Sequence, residues 1–463
     1  MSFKIAEFSI FSRRDENLIV IFPEIPYWIA TTKDGYSILT KIKDGKDIKQ
    51  IAKEIFGDVL EEHISEIRTF LAPLIESNVI NNKKDPINNN VIKSIRPNKI
   101  TFLQTMACNL RCKHCCVSDM PDSGFQSMPL MDAKKILKRC LNIMDQGRKS
   151  VAFLGGEPLC GEEFPELLRY AHELGYKVGL STNGILVDEK FARIAKDSNA
   201  MIQISLDGAT KESHEMIRGK GTWEKTLKAI DLLNDYGVDM ETNMVYHSEN
   251  VNEIRSYFEL VRTKNIKKIR LISLMNMGRA VGNLEMVPLD RFVDIMNELI
   301  INNPEFIDLI DETSFMGLIL NAKFSQKMIS CGAGQITITI SPLGDVYPCL
   351  NLYDEKFKMC NLLEDDYISS FSNSKIREDF RKINIATINP VCGECELKYF
   401  CGGKCRGETF QETGDEYAPY PHCSEWKNAL EKVFWLLVDF PTIGEEKYKR
   451  VLSDVQGYVD LWH

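Results

Sequence analysis

Three thiols stand within eight residues at Cys108-Asn-Leu-Arg-Cys112-Lys-His-Cys115, directly after the strand-like run Lys99-Ile-Thr-Phe-Leu-Gln-Thr105. Thiolates in short local runs of this kind hold iron–sulfur clusters. A cubane has four irons, so the CX3CX2C spacing leaves one iron for a ligand from elsewhere. A zinc site is the alternative, although zinc knuckles favour paired CX2C units and a closed fourth position. Seven more cysteines follow: Cys331-X12-Gly344-X4-Cys349, then Cys392-X2-Cys395-X5-Cys401-X3-Cys405, then Cys423. A zinc ribbon competes for Cys392–Cys405. Cys116, Cys140, Cys160 and Cys360 complete the fourteen and read as buried reduced thiols that pack as small hydrophobes.

These residues need a scaffold, and from 98 to about 290 strands and helices alternate. The pattern predicts strands at 99–104, 150–154, 176–181, 201–206, 238–244 and 268–273. Amphipathic helices are expected near 131–145, 163–174, 187–197, 222–235 and 251–264. Repeated βα units imply a parallel sheet, an α/β class fold, with ligands at the C-terminal ends of the strands. Informative loops sit there. Gly155-Gly156-Glu157-Pro158 follows the second strand; its glycines let the backbone approach a ligand, and Glu157 offers a carboxylate to an ammonium. Ser181-Thr-Asn183-Gly184 ends the third strand and Ser205-Leu-Asp207-Gly208 the fourth. Asp207-Gly208 reads equally as a plain turn, and Arg218 in Met-Ile-Arg-Gly equally as a solvated surface residue.

The cysteine triplet, the Gly-Gly-Glu-Pro loop and the βα repeat together resemble the radical S-adenosylmethionine (SAM) enzymes. That resemblance implies a partial (β/α)6 barrel and a 4Fe-4S cluster on Cys108, Cys112 and Cys115, with SAM chelating the fourth iron. It implies reductive cleavage of SAM to a 5′-deoxyadenosyl radical that takes hydrogen from substrate. Gly155, Gly156 and Glu157 would then meet the methionine amino group, and Arg218 the carboxylate. His114 would lie along the adenine, with Ser181, Asn183 and Ser205 near the ribose. Asp207 is the one candidate for a catalytic group. The later cysteines resemble the SPASM domain, which carries two auxiliary 4Fe-4S clusters. By that resemblance Cys392, Cys395, Cys401 and Cys423 hold the outer cluster, and Cys331, Cys349 and Cys405 the inner one. Relatives with a fully ligated inner cluster supply an eighth cysteine, and Thr337 lies about where it would be. The inner cluster then has either an open iron or Cys360 as its last ligand.

Residues 1–80 read as a separate unit. Leu18-Ile-Val-Ile-Phe22 and Tyr27-Trp-Ile-Ala30 form a strand pair across a Pro-Glu-Ile-Pro turn. Helices follow at Gly35–Ile42 (N-cap Thr32), Ile48–Phe56 (N-cap Asp47) and Glu61–Ser77, then a short closing strand at 78–80. This winged-helix-like α+β pattern resembles the peptide-recognition domain typified by the small chaperone of pyrroloquinoline quinone biosynthesis. The resemblance implies binding of a precursor peptide's leader, added as a strand to the sheet edge. A DNA-binding winged helix is the competitor. Residues 81–97 read as a linker, 291–330 as a helical bridge, 331–427 as the cluster-binding domain and 428–463 as a helical tail.

A chain of 463 residues has room for several cores, and its 44% hydrophobic and 27% charged residues are ordinary for a globular protein. A net charge of −9 without a basic block argues against nucleic acid. No apolar run spans a bilayer and the N-terminus lacks a signal-peptide core, so a cytoplasmic protein is expected. The functional expectation is a maturase of a ribosomally made peptide, served by an electron donor such as flavodoxin or ferredoxin. Its product would be an intrapeptide crosslink, foremost a Cys-to-carbon thioether. Carbon–carbon crosslinking, formylglycine formation in a sulfatase and a non-enzymatic iron–sulfur electron carrier are the alternatives.

Overall fold

The computed structural model describes residues 3–81, 96–119, 127–145, 147, 149–311 and 327–440. It opens with the short strand β1 (Lys4–Ile5) and an antiparallel sheet of β2 (Ser9–Arg14), β3 (Asn17–Phe22) and β4 (Tyr27–Thr32) in that order. β3 is apolar on both faces because the sheet is covered twice. Leu18, Val20 and Phe22 join the N-terminal core, whereas Ile19 and Ile21 join the main one. The first cover is α1 (Lys33–Lys43), α2 (Ile48–Phe56) and α3 (Glu61–Glu76). Thr32 caps α1, and Asp47 with Gln50 forms a capping box on α2. β5 (Ile80–Asn81) closes the unit by pairing with β1. Ser9–Arg14 carries no long apolar run, so the sequence pattern does not announce β2.

The βα repeat follows as β6 (Lys99–Thr105), α4 (Leu130–Ile143), β7 (Ser150–Gly155), α5 (Phe164–Glu173), β8 (Lys177–Thr182), α6 (Glu189–Asp197) and β9 (Met201–Ser205). It continues with α7 (Lys211–Arg218), α8 (Trp223–Asp235), β10 (Met240–Tyr246), α9 (Ile254–Thr263) and β11 (Ile269–Ser273). The six strands pair in parallel in chain order. Alternation does the sorting. Ile100, Phe102, Val151, Phe153, Ile202 and Ile204 pack into the main core, while Gln203, Ser205, Glu241, Asn243 and Arg270 line the opposite, interior face. α7 is an addition to the expected pattern, too polar and short to show by periodicity, and Arg218 is its last residue.

α10 (Leu289–Asn302) leads on to β12 (Thr337–Ile340), β13 (Asp345–Tyr347) and β14 (Cys360–Asn361). β12 runs parallel to β6, from Thr337 opposite Lys99 to Ile340 opposite Phe102. One nine-stranded sheet therefore crosses from the barrel into the cysteine-rich region, where the sequence suggested two separate units. Of the expected bridge, α10 and a 3-10 turn at Pro304–Leu309 are helical; 312–326 lie outside the described residues, as do 82–95 and 441–463. The last described helix, Cys423–Asp439, is a hub. Lys432 reaches Asp294 of α10 at 2.7 Å on one side. On the other, Phe434 stacks on Trp28 of β4 at 4.3 Å, and Trp435 Nε1 donates to Ser12 Oγ of β2 at 3.0 Å.

Candidate active site and cluster-binding cysteines

β6 ends at Thr105 and releases the chain into the loop of Cys108, Cys112 and Cys115. Neighbours hold that loop in place. The Gly156 and Glu157 N–H groups donate to Thr105 O at 2.9 Å and Ala107 O at 2.7 Å. A Cβ on Gly155 would come within 2.2 Å of Thr105 O, and one on Gly156 within 2.1 Å of Ala107 O. The glycine pair thus makes room for the backbone carrying Cys108, where the sequence reading had it making room for ligand.

Glu157 is only 1% exposed. Its Oε1 accepts from Thr182 Oγ1 at 2.7 Å and Leu159 N–H at 3.1 Å, and its Oε2 accepts from Asn183 N–H at 2.8 Å. Burial pushes its carboxyl above the ordinary range, and these donors oppose the shift. Asn183 Nδ2 in turn donates to Asn109 Oδ1 at 2.8 Å, inside the cysteine loop. Glu157 therefore ties the ends of β7 and β8 to the thiols through its protein donors.

Asp207, beyond β9, has no exposed surface. Its Oδ2 accepts from Arg218 Nε at 2.6 Å and meets His114 Nε2 at 3.1 Å; its Oδ1 accepts from Val245 N–H at 2.8 Å. Burial pushes this carboxyl up, but Arg218 and His114 outweigh burial and hold it well below the usual carboxylate range. Both oxygens are engaged and sealed, anchoring Arg218 and His114, so Asp207-Gly208 is more than a plain turn. Arg218 is likewise buried, with Nη1 3.9 Å from Cys112 Sγ, and is no surface arginine. His114 Nδ1 is buried without a partner, a polar atom left for a ligand. Ser181 and Ser205 sit on the interior faces of β8 and β9.

Three contributors, Arg279, Gly278 and Asn109, escaped the sequence reading. Arg279 donates from Nε to Cys112 O at 3.0 Å and from its N–H to Cys115 O at 3.1 Å. Gly278, at φ +56°, presses against Cys115 O, to which a Cβ would come within 2.3 Å. Their place beyond the sixth parallel strand was the available signal. Asn109, inside the motif itself, was the third.

The later cysteines separate into two groups. Cys331, Cys349 and Cys405 act electrostatically on one another, and Cys392, Cys395, Cys401 and Cys423 form the second set. Asn351 Nδ2 at 3.3 Å and Glu408 N–H at 3.4 Å donate to Cys405 Sγ. Cys360 belongs to neither group. It pairs with Val346 across β13 and β14 and lies beside Cys140 in the main core, so it does not complete the inner set. Burial pushes Cys112 up, Cys401 up to about 11 and Cys349 well above the ordinary thiol value. All fourteen cysteines are free. Grouped, desolvated thiols with N–H donors aimed at sulfur suit a metal or cluster that supplies the charge needed to ionise them.

Residues 103–261 match the family model described as the radical SAM superfamily, and residues 331–396 match that of SPASM, an iron–sulfur cluster-binding domain. The chain carries a radical SAM domain followed by a SPASM domain. The radical SAM domain binds SAM on a 4Fe-4S cluster, and the SPASM domain holds auxiliary clusters; the three thiol groups fit these cofactors. Among curated proteins, it is 26% identical to the AdoMet-dependent heme synthase of Methanosarcina barkeri (71% of this chain, 96% of that protein). It is 29% identical to the mycofactocin maturase MftC of Mycolicibacterium smegmatis (72% and 84%). It is 26% identical to the antilisterial bacteriocin subtilosin biosynthesis protein AlbA of Bacillus subtilis (81% and 84%). The fold is that of anSMEcpe with bound AdoMet (TM-score 0.62, 22% identity, 74% and 98% covered). It is also that of Streptococcus suis SuiB bound to the precursor peptide SuiA (TM-score 0.58, 18% identity, 91% and 99% covered). Among the described residues no helix is long and apolar enough to cross a membrane.

Proposed function

We propose that this chain is a maturase of a ribosomally made peptide, and that its N-terminal unit binds the peptide's leader. The observation that carries the reading is the three-stranded sheet β2-β3-β4, docked by its face onto the helix that begins at Cys423. Docking through a face leaves the sheet edges, β2 and β4, for an added peptide strand. Leader binding there would raise the effective concentration of the core peptide at the barrel. The names of MftC and AlbA support a peptide substrate, and the match to AlbA favours a Cys-to-carbon thioether. A small-molecule reading, prompted by the heme synthases, gives this sheet no task.

Cys108, Cys112 and Cys115 would hold the SAM-binding cluster, and the two later groups the auxiliary clusters. When bound, the first cluster and SAM supply the radical that takes hydrogen from the peptide. The protein's own part is positional. Glu157, Asn183 and Asn109 brace the cysteine loop from one side, and Arg279 braces it from the other. Asp207 fixes Arg218 against Cys112 and orients His114, whose buried Nδ1 is left without a protein partner. The inner group, with three described cysteines and Cys360 placed elsewhere, leaves room for a thiol of the peptide.

The test is reconstitution with SAM, reductant and the short precursor encoded beside the gene. We expect 5′-deoxyadenosine and a peptide lighter by one hydrogen from carbon and one from sulfur. We also expect slowed amide exchange in Ser9–Arg14 or Tyr27–Thr32 on adding precursor. SAM cleavage that leaves every candidate peptide unmodified and both strands unprotected would remove the proposal's support.

A further inference from the structure

The two auxiliary cysteine groups meet at one short step of chain. Cys401 belongs to the set of four, Cys405 to the set of three, and Gly402, Gly403 and Lys404 lie between them. All three intervening residues have positive φ, at +60°, +83° and +56°. Glycine adopts such angles freely, whereas a lysine there carries backbone strain. Lys404 thus occupies a position that suits a third glycine.

Its side chain shows what the lysine does there. The ammonium stands over the Trp426 ring, 5.4 Å from the centroid, and Trp426 is buried three residues beyond Cys423. A cation over an indole face is attracted by the ring quadrupole, so the charge is fixed in place. Burial pushes the Lys404 ammonium's pKa down, and Cys401, Glu408 and Cys405 act against that shift, so its place in the chain between Cys401 and Cys405 is also one where both groups feel it. The neighbouring charged groups have contacts of their own. Glu408 accepts from Tyr420 Oη at 3.0 Å, and the buried Arg406 guanidinium is taken up by backbone carbonyls, donating to Gly403 O, Glu416 O and Ala418 O.

Building on the proposal that these two groups ligate the auxiliary clusters, we propose that Lys404 is a fixed cation between them that raises the reduction potentials of both. A positive charge beside a cluster stabilises its reduced, more negative state, and charge near the sulfurs is one of the protein's means of setting cluster potential. Lys404 is in this sense a positioning residue for electron transfer, one that touches neither SAM nor peptide.

The experiment is an EPR-monitored redox titration of the reconstituted full chain, as wild type and as Lys404→Gly, Lys404→Met and Lys404→Arg. Lys404→Gly relieves the backbone and removes the whole side chain, while Lys404→Met keeps its bulk and removes the charge, so the two variants decide together. We expect both auxiliary midpoints to move to more negative values in Lys404→Gly and Lys404→Met, and to return toward wild type in Lys404→Arg. The SAM-binding cluster, held by residues 108–115, should titrate unchanged in all four. Unchanged auxiliary midpoints in Lys404→Gly and Lys404→Met with full iron content would overturn this inference alone. Wild type that takes up no auxiliary iron would overturn the ligand assignment, and this inference with it.

Discussion

Replacing Gly156 by alanine should cripple the SAM site without touching a single thiol. Gly156 is not among the glycines held at positive φ, so alanine meets no backbone strain of its own. The objection is purely steric. The new Cβ would sit 2.1 Å from Ala107 O, 2.5 Å from Met106 O and 2.6 Å from Ala107 C. All are backbone atoms, so no rotamer change relieves the clash. Restoring even a tight contact near 3 Å requires a shift of about 1 Å, and a misplacement of that size costs on the order of 10²-fold in rate. Ala107 precedes Cys108, so the shift lands on the first cysteine of the triplet. The assay is 5′-deoxyadenosine formation by reconstituted Gly156→Ala, with iron content and EPR measured beside it. We expect a loss of roughly 10²-fold, a changed signal from the first cluster, and auxiliary clusters like wild type. Gly161→Ala is the control in the same loop. Its Cβ would come no closer than 3.2 Å, to the side-chain atom Gln104 Oε1, and we expect activity close to wild type. Gly156→Ala that cleaves SAM as wild type does, with an unaltered first cluster, would refute the packing argument.

Three further outcomes follow from the same geometry. Phe434→Ala removes a fully buried ring stacked on Trp28, so we expect about 3–5 kcal/mol of destabilisation in urea melts and faster amide exchange across residues 9–32; normal exchange there would show that the N-terminal sheet is held by other contacts. Cys360→Ala should keep the auxiliary iron of wild type, because Cys360 lies beside Cys140; loss of inner-cluster iron would return it to the ligand set. His214 is buried, with Nε2 unpartnered, and burial depresses its pKa to about 4. Protons therefore favour the unfolded chain as pH falls below about 6.5, costing about 2 kcal/mol by pH 5 and about 3 kcal/mol near pH 4. His214→Gln should flatten that slope, and equal slopes in the two proteins would show His214 is not its source.

Period and spacing made much of the molecule legible. The six parallel strands follow from apolar alternation, and α1 and α2 from the caps Thr32 and Asp47. The first cysteine triplet is legible because its spacing is local, whereas the later seven were sorted only through the resemblance to the SPASM domain, since their two sets interleave along the chain. Other features were hidden for stated physical reasons. β2 shows no apolar run because its outer end is polar and its docking rests on Ser12 and Arg14, whose partners lie more than 400 residues away. α7 is held by a Thr210–Ser213 capping box and by Asp207's grip on Arg218, neither of which has a period. Glu157 was legible as a carboxylate on the loop after the second strand, but its partners Thr182 and Asn183 belong to the next βα unit and appear only once the strands align. The continuity of β6 with β12 joins residues more than 200 apart, and no local pattern encodes it.

That continuity bears on how a long substrate would be handled. β12 extends the barrel's own sheet, so the auxiliary cysteines are fixed relative to the first triplet by backbone hydrogen bonds. The N-terminal sheet is fixed in turn to the helix of Cys423 through Phe434, Trp435 and Glu431, and Glu24 reaches Lys398 at 2.9 Å within the cysteine-rich region. The proposed leader-binding unit is thus docked on the cluster domain through a packed aromatic face. A docked unit presents its bound peptide from a fixed direction, whereas a tethered one would only raise local concentration. If the leader role is correct, the two contributions separate. Measured at saturating precursor, so that weaker leader binding does not enter, Phe434→Ala should lower the yield of modified peptide per SAM cleaved, since the bound leader's core peptide arrives unguided. Equal coupling in Phe434→Ala and wild type would show that tethering alone suffices.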